Sequence, residues 1–272
     1  MKKFFATLVA AGMMFANTVD AAQPVQHQNR ETVYQVALLQ SLAMGHFDGA
    51  ITVKQLKTVG DTGIGTFEGL DGEMIVLDGV VYRANQNCRV NVVADKVTVP
   101  FSNVTFFDED FNIDLRNVNT QAELEAKFNE LVAAHGPNSF YVIKLRGTFD
   151  EIHVRSEAGQ SKPYPTLVES LKATQKESAQ KNIQGTVVGL YCPAFMSSLN
   201  SVGWHFHFIS DDKTFGGHVL GLNLKRGTAR FDKTDTFRMG LPADEDFQKL
   251  DFNRDMSKDI HSAERDSHQG GK

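Results

Sequence analysis

The segment 203–219 constrains the fold more than any other part of the chain, because aromatic and polar residues alternate along its first half. Side chains two positions apart in a strand lie on the same face of a sheet. The turn that follows, at 211–217, is rich in Asp and Gly, and His218 begins a returning strand. The segment therefore predicts a β-hairpin whose first strand buries one aromatic face, formed by Trp204, Phe206 and Phe208.

The rest of the chain predicts more strands than helices. Helical spacing of apolar residues predicts a helix at 32–44, and capping boxes at Thr120 and Thr166 predict the starts of two more. Because strands and helices do not alternate regularly, we expect an α+β fold with mixed or antiparallel β-sheets and a few packed helices. Strands are predicted at Ile64–Leu70, Met74–Arg83, Val92–Phe107, Phe140–Phe149, Glu151–Arg155, Thr186–Tyr191, Trp204–Ser210, His218–Leu224 and Thr228–Phe231.

Two sheet-and-helix lobes are predicted after the N-terminal segment. Their boundary is placed near residue 137, where Gly136 and Pro137 end a predicted helix. This division gives an N-terminal lobe at 22–137 and a C-terminal lobe at 138–272, which carries the histidine hairpin.

Residues 1–21 are typical of a secretory signal peptide. Lys2 and Lys3 precede an uncharged run at 4–16, and small residues stand at positions 19 and 21, as a cleavage site requires. The uncharged run is too short to span a bilayer. We therefore expect an exported protein, periplasmic or extracellular, with no membrane span once the signal peptide is removed.

The composition excludes several classes of protein. The chain of 272 residues is 41% hydrophobic and contains 20 Phe, which a disordered protein would lack. Its net charge of −5 argues against a nucleic-acid-binding protein, which is usually basic. Two cysteines cannot make a disulfide framework or a cysteine-based zinc site. Cys88 and Cys192 could pair with each other, but Cys192 lies in an apolar run and is better interpreted as a core residue.

Three of the nine histidines fall within the predicted hairpin at 203–219. His205 and His207 share the strand face opposite the aromatic residues, and the return of the chain brings His218 beside them. Three neutral imidazoles can hold a divalent metal and leave one coordination position open, which is the arrangement of a catalytic site. A single histidine in a strand is more often a hydrogen-bonded core or surface residue, and a His-x-His pair also occurs in cupins. The spacing favours a metal centre but leaves its chemistry open.

Two charged residues have both an ordinary and a functional interpretation. Glu73 follows the turn at 71–72 at the start of a strand, where a carboxylate is usually exposed. Arg155 lies in a predicted strand, where it could be an exposed residue paired with Glu157. The sequence pattern alone leaves both interpretations open.

A set of motifs, which together span most of the chain after the predicted signal peptide, is informative, and the histidine segment is the most specific of them. The motifs are GIGTFEGLDGEM at 63–74, LDGVVYR at 77–83, VRS and KPYPTLVE within 154–169, GTVVGLYCPAF at 185–195, and GWHFHFISDDKTFGGHVLG at 203–221. Through these motifs the chain resembles the alpha-acetolactate decarboxylase family.

The resemblance implies a metal-dependent carboxy-lyase. It would convert (S)-2-acetolactate, which is 2-hydroxy-2-methyl-3-oxobutanoate, to (R)-acetoin and CO2 through a metal-stabilised enediolate, a step of acetoin and butanediol formation. The implied cofactor is Zn²⁺ or another divalent metal, with no organic cofactor. The implied partners are a small 2-hydroxy-3-oxo acid as substrate and a second copy of the chain in a homodimer.

The resemblance also implies the residues of the site. The tail at 257–272 has the polar composition of a loose terminus, but the resemblance implies that it returns to the site. The implied residues are the metal ligands His205, His207 and His218, the catalytic residues Arg155, Glu73 and Glu264, and Thr66, which lines the substrate pocket with Arg155.

Two alternative functions are compatible with the histidine spacing. A cupin-like metal enzyme, such as a dioxygenase or an isomerase, would use the same His-x-His pair, and a dioxygenase would consume oxygen. An exported zinc-binding protein with a closed metal site would need a fourth protein ligand and would have no use for Arg155.

Overall fold

The computed structural model describes residues 29–197 and 199–265. The predicted signal peptide at 1–21 lies outside these residues. Within the described part of the chain, no helix is long and apolar enough to cross a membrane.

The described residues form many strands and a few short helices, which confirms the predicted α+β fold. The strands are β1 (Thr32–Val36), β2 (Ile51–Thr52), β3 (Thr62–Thr66), β4 (Glu73–Leu77), β5 (Val80–Ala84), β6 (Val90–Val92), β7 (Thr98–Val99), β8 (Ser102–Thr105), β9 (Phe111–Val118), β10 (Phe140–Ser156), β11 (Lys176–Cys192), β12 (Gly203–Ser210), β13 (Gly216–Thr234) and β14 (Thr236–Gly240). The helices are α1 (Leu39–Ala43), α2 (Val53–Leu56), α3 (Gln121–His135), α4 (Leu167–Thr174), α5 (Glu245–Gln248) and α6 (Ser257–Arg265). Short 3₁₀ turns lie at Glu68–Leu70 and Ala194–Met196.

Two large sheets carry the fold. The first has seven strands in the order β14-β1-β8-β3-β4-β5-β6, and only the β1–β14 pair is parallel. The second has the order β10-β11-β12-β13-β9. Because β10 also pairs with β13, the strands β10, β11, β12 and β13 form a closed ring. The predicted hairpin is β12 and β13 of this ring.

The two faces of β12 are buried in different hydrophobic cores. Trp204, Phe206 and Phe208 pack in the core that α3 covers. Ile209, on the other face, packs in the core between the two sheets, where it joins Ile75 of β4. This confirms the predicted alternation, and it leaves the histidines of β12 on the face that points toward the first sheet.

The predicted helix at 32–44 is wrong. Residues Thr32–Val36 are β1, and only Leu39–Ala43 is helical. β1 lies between β14 and β8, so its hydrogen-bond partners come from distant parts of the sequence. The β-branched residues Val33 and Val36 suit a strand in such a sheet. The apolar spacing that looked helical comes from a strand followed at once by a short helix.

Several strand boundaries also differ from the prediction. The predicted strands at 64–70, 74–83 and 92–107 are each interrupted by a turn or an irregular segment. Conversely, the predicted pairs 140–149 with 151–155, and 218–224 with 228–231, are each one continuous strand. β10 pairs with both β11 and β13 almost throughout its length, and this pairing continues the strands through residues where the local pattern stops.

Both predicted capping boxes begin helices. At α4 the Thr166 side chain accepts the Glu169 N–H at 3.4 Å, and the Glu169 carboxylate accepts the Thr166 N–H at 2.9 Å. At α3 the Thr120 hydroxyl accepts the Glu123 N–H at 3.1 Å. The Glu123 carboxylate there accepts the Asn119 N–H, one residue earlier than a reciprocal box requires.

The division into two lobes near residue 137 stays a prediction. The strand β9 precedes this point but belongs to the second sheet. The strand β14 follows it but belongs to the first sheet. Each sheet therefore contains one strand from the other side of the division.

The two cysteines are buried and free. Cys192 packs in the core between the sheets, which confirms its interpretation as a core residue. Cys88 packs in the other core, so the two thiols are in separate environments.

Candidate active site and metal centre

Three imidazole rings meet where β12 and β13 pair. His207 lies directly opposite His218 in the strand register. His205 lies two residues before His207, on the same face of β12. Nε2 of His205 is 3.1 Å from Nε2 of His207 and 2.9 Å from Nδ1 of His218. One nitrogen of each ring therefore faces a common point, as the hairpin predicted, and all three lie within 4.8 Å of one another.

The second nitrogen of each ring lies near an oxygen atom outside the cluster. Nδ1 of His207 lies 2.7 Å from the backbone oxygen of Met74. Nε2 of His218 lies 3.2 Å from the backbone oxygen of Glu264, and Nδ1 of His205 lies 3.2 Å from the Oε2 of the same residue. The backbone acceptors of His207 and His218 place the proton on the outer nitrogen of these two rings and leave the inner lone pair available, as in histidines that bind metals.

The histidine cluster fits a divalent metal. Burial lowers the pKa of His207 well below its usual value, and the neighbouring His205 lowers it further. Burial also lowers the pKa of His218, with the charge of Arg155 as the next cause. Both rings are therefore neutral, which ligation requires. Nitrogens at Zn–N distances of about 2.0–2.1 Å lie roughly 3.3 Å apart in a tetrahedral site, close to the separations observed here.

Glu73 brings a carboxyl group to the cluster. It is the first residue of β4 and lies opposite Thr66 of β3. Its Oε2 is 3.4 Å from the inner nitrogen of His207. The side chain is buried, so the exposed interpretation of Glu73 is wrong. Burial raises the pKa of Glu73 well above its usual value, and the carboxyl of Glu157 raises it further, so the group can carry a proton at neutral pH.

Thr66 is also buried at the site. Its hydroxyl donates a hydrogen bond to the backbone oxygen of Gly72 at 2.9 Å. This bond ties the end of β3 to the turn that precedes β4, and so helps to place Glu73.

Arg155 lies on β10, directly opposite His218 of β13. Its guanidinium donates to Oε1 of Gln175 at 3.2 Å and to the backbone oxygen of Ala263 at 2.7 Å. An arginine has five N–H donors, so the group retains donors for a carboxylate in the pocket. The interpretation of Arg155 as an exposed partner of Glu157 is wrong, because the two residues are only 4% and 1% exposed.

The helix α6 covers one side of this cluster. Its apolar residues Ile260 and Ala263, and Met256 just before it, pack in a core with leucines of α1 and α4. Its C-terminal end provides the backbone oxygens that face Arg155 and His218, and the Glu264 carboxylate that faces His205. The described part of the tail, at 257–265, is therefore helical and packed against the site, although its sequence has no convincing periodicity.

One pocket brings the predicted site residues together. Apolar side chains such as Leu42, Phe101 and Leu167 form part of its wall. The same pocket is lined by Thr66, Glu73, Arg155, His205, His207, His218 and Glu264. Three imidazoles, a buried arginine and three carboxyl groups in one pocket can bind a metal, hold an anionic substrate and transfer a proton.

A family model described as alpha-acetolactate decarboxylase matches residues 33–254. The chain belongs to the alpha-acetolactate decarboxylase family. This confirms the predicted family, and its carboxy-lyase name agrees with the prediction of an enzyme. The matched range contains six of the seven predicted site residues, all but Glu264, which the structure places in the same pocket.

Individual alpha-acetolactate decarboxylases are similar over most of the chain. The protein of that name from Methanosarcina mazei is 35% identical over 241 residues, which is 89% of this chain and 83% of that protein. The one from Brevibacillus brevis is 34% identical over 235 residues, 86% of this chain and 81% of that protein. The crystal structure of the Bacillus subtilis strain 168 alpha-acetolactate decarboxylase gives a TM-score of 0.83 at 32% identity, covering 86% of this chain and all of that chain.

The sequence reasoning missed one charged residue of the pocket. Glu157 lines it together with Glu73 and is 1% exposed. Burial raises its pKa to about 7. The spacing of two residues between Arg155 and Glu157 is the available sequence signal, because neighbours at this spacing share a strand face.

Proposed function

We propose that this chain is a metal-dependent decarboxylase that converts 2-hydroxy-2-methyl-3-oxobutanoate to acetoin and CO2. The observation that carries the proposal is the single pocket in which three inward-facing imidazoles, Arg155 and buried carboxyl groups meet. Membership of the family supports the same reaction.

The three histidines would hold the metal, with Zn²⁺ as the first candidate. When bound there, a divalent metal supplies Lewis-acid stabilisation of negative charge on the oxygens of the substrate. Among the residues that the structure describes, the cluster whose atoms lie close enough together to hold one metal ion consists of these three histidines. This number favours an open catalytic site over the closed site of a zinc-storage or structural protein.

Arg155 would bind the substrate carboxylate. Its guanidinium is fixed by Gln175 and by the backbone of Ala263, so the planar fork is held in one orientation before substrate arrives. A bidentate contact would then fix the orientation of the bond between the carboxyl carbon and C2 of the substrate. When this bond breaks, CO2 leaves. The electron pair of the bond passes into an enediolate that spans C2 and the former ketone carbon.

A carboxylic acid must then protonate C2 to give acetoin. Glu73 is the buried acid beside the cluster, and its raised pKa keeps a proton available at neutral pH. Glu264 lies on α6, beside His205. We assign proton transfer to these two residues, without dividing the steps between them. Delivery from one side of a buried pocket would give one enantiomer, expected to be (R)-acetoin from (S)-2-acetolactate.

The test is an assay of the purified protein with racemic 2-acetolactate, followed by measurement of CO2, chiral acetoin and dissolved oxygen. We expect equal amounts of CO2 and acetoin, one acetoin enantiomer in excess, and no oxygen uptake. Oxygen consumption would point to a cupin-like dioxygenase instead. Absence of product from the zinc-loaded protein would refute the proposed function.

We also propose that the protein is exported and forms homodimers. The proposal of export rests on the signal-peptide pattern of residues 1–21. N-terminal sequencing of the protein from the medium or the periplasm should start at Ala22. Sedimentation equilibrium of the processed chain should give twice the monomer mass, and a monomer at micromolar concentration would contradict the dimer.

A further inference from the structure

The Gln175 amide connects Arg155 with a carboxylate on the neighbouring strand. Its Oε1 accepts a hydrogen bond from the Arg155 guanidinium at 3.2 Å, and its Nε2 donates to Oε1 of Glu177 at 3.1 Å. An arginine side chain only donates hydrogen bonds, and an ionised carboxylate only accepts them. One orientation of the amide therefore satisfies both neighbours, with its oxygen toward the arginine and its amino group toward the carboxylate.

The Glu177 carboxylate contacts other groups than the arginine that it faces across the sheet. Glu177 of β11 lies directly opposite Arg155 of β10 in the strand register. Opposite charges in such positions commonly interact directly. Here Oε2 of Glu177 lies 3.0 Å from Nε2 of His153, and its Oε1 accepts from Gln175. On this side, the group that contacts the guanidinium is therefore a neutral amide and not a carboxylate.

Both printed acceptors of the Arg155 guanidinium are neutral oxygens, one on the Gln175 side chain and one on the backbone of Ala263. Neutral acceptors can orient the planar fork without cancelling its charge. A carboxylate in place of the amide would neutralise that charge and compete with an anionic substrate for the same N–H donors. The backbone of Gln175 is held as well, because its N–H donates to the backbone oxygen of Leu171 at 2.9 Å at the end of α4.

We infer that Gln175 and Glu177 are positioning residues for Arg155. Glu177 fixes the orientation of the Gln175 amide, and the amide oxygen fixes the guanidinium while leaving its charge for the substrate carboxylate. The two residues therefore set the affinity of the pocket for the anionic end of the substrate. This inference deepens the proposed function and rests on the role proposed there for Arg155.

Binding of a carboxylate that cannot react tests this role. The probe 2-hydroxy-2-methylpropanoate has the carboxylate and the hydroxyl of the substrate but no ketone, and its amide lacks the charge. Calorimetry with the zinc-loaded protein gives Kd for both. Gln175→Met removes the acceptor at similar length and should reduce the preference for the acid over the amide by about 10-fold, since a hydrogen bond to a charged group contributes about 10–100-fold. Gln175→Glu should reduce it further, because a glutamate neutralises the arginine.

Variants of Glu177 test the outer part of the arrangement. Glu177→Ala frees the amide to turn and should reduce the same preference by about 2–10-fold, the usual contribution of one hydrogen bond. Glu177→Gln keeps an acceptor for Gln175 and should restore most of this loss. In an Arg155→Met background, these substitutions should change the preference by less than about 2-fold. The matched control is Glu151→Ala, which removes a carboxylate from the same strand pair, where it faces Lys181 at 3.4 Å, and should bind both probes as wild type does.

Turnover separates this inference from the proposed function. The carboxylate loses its charge as CO2 forms, so its contact with Arg155 is strongest before the bond breaks. Gln175→Met should therefore raise KM by about 10-fold and lower kcat by less than about 3-fold. A wild-type protein that prefers the acid but releases no CO2 from acetolactate would refute the proposed function and leave the positioning role supported by the binding data.

Four results would overturn the inference. They are a wild-type protein with no preference for the acid, a Gln175→Met variant with the wild-type preference, an equally large effect of Gln175→Met without the Arg155 side chain, and a loss of affinity that only parallels bound zinc or melting temperature.

Discussion

Removal of the end of α6 should abolish most activity while the rest of the fold remains. A stop codon after Lys258 deletes Ile260, Ala263 and Glu264. The chain then loses the carboxyl beside His205 and the backbone oxygens that face Arg155 and His218. A positioned acid contributes about 10²–10⁴-fold to a rate, so we expect kcat to fall by at least about 10²-fold.

The apolar burial lost in this truncation has a limited structural cost. Full burial of an isoleucine stabilises a protein by about 1.5–3 kcal/mol, and one methyl group by about 0.8 kcal/mol. Ordering the deleted residues costs conformational entropy, which offsets part of this gain. Loss of this apolar burial should therefore lower the free energy of unfolding by less than about 4 kcal/mol, or about 10 °C in melting temperature for a chain of this size.

The assay compares the truncated protein with two full-length variants. Glu264→Gln removes the acid at nearly constant shape and should show a similar loss of kcat, with zinc still bound. His261→Ala changes an exposed residue of the same helix and should behave as wild type. If the truncated protein decarboxylates acetolactate at the wild-type rate, Glu264 has no part in the reaction and Glu73 must act alone.

Three further predictions concern the metal, the arginine and a buried acid. Chelation, or replacement of all three hairpin histidines by alanine, should remove bound zinc and activity but leave most of the far-UV circular dichroism; full zinc occupancy in the triple variant would contradict the assigned ligands. Arg155→Lys should lower kcat and the enantiomeric excess of acetoin more than the zinc content, because lysine lacks the planar fork; indistinguishable kinetics with both substrate enantiomers would refute a bidentate role. Burial raises the pKa of Asp232 to about 8. Between about pH 4 and pH 8 the folded state therefore keeps a proton on this carboxyl that the unfolded state has released. The stability that this proton contributes is lost as the pH rises from about 4 to 8. Asp232→Asn should therefore raise the melting temperature at pH 8 and change it little at pH 4, as scanning calorimetry at the two values can measure.

The parts of the site that follow from local sequence were predictable. His205 and His207 share a face because a strand has a period of two, and the turn at 211–217 brings His218 into register with them. The same local pattern assigned Trp204 and Phe206 to the opposite, buried face.

The parts that depend on distant contacts were not predictable. The hydrogen bond from Arg155 to Ala263 joins residues 108 positions apart, and nothing near either residue indicates it. The helix predicted at 32–44 failed for the same reason, because its first part is a strand fixed by β8 and β14. The burial of Glu157 likewise depends on how the chain after β10 runs along the turn at 68–71.

The contacts of the outer imidazole nitrogens have a consequence for metal affinity. A peptide of residues 203–219 contains every predicted ligand, yet in it water would replace Met74 and Glu264 as partners of the outer nitrogens. Such outer partners are typically worth about 10–100-fold in metal affinity. The affinity of the centre thus depends on residues far from the hairpin in the sequence. A hairpin transplanted into another scaffold should bind zinc loosely unless a strand like β4 and a helix like α6 accompany it.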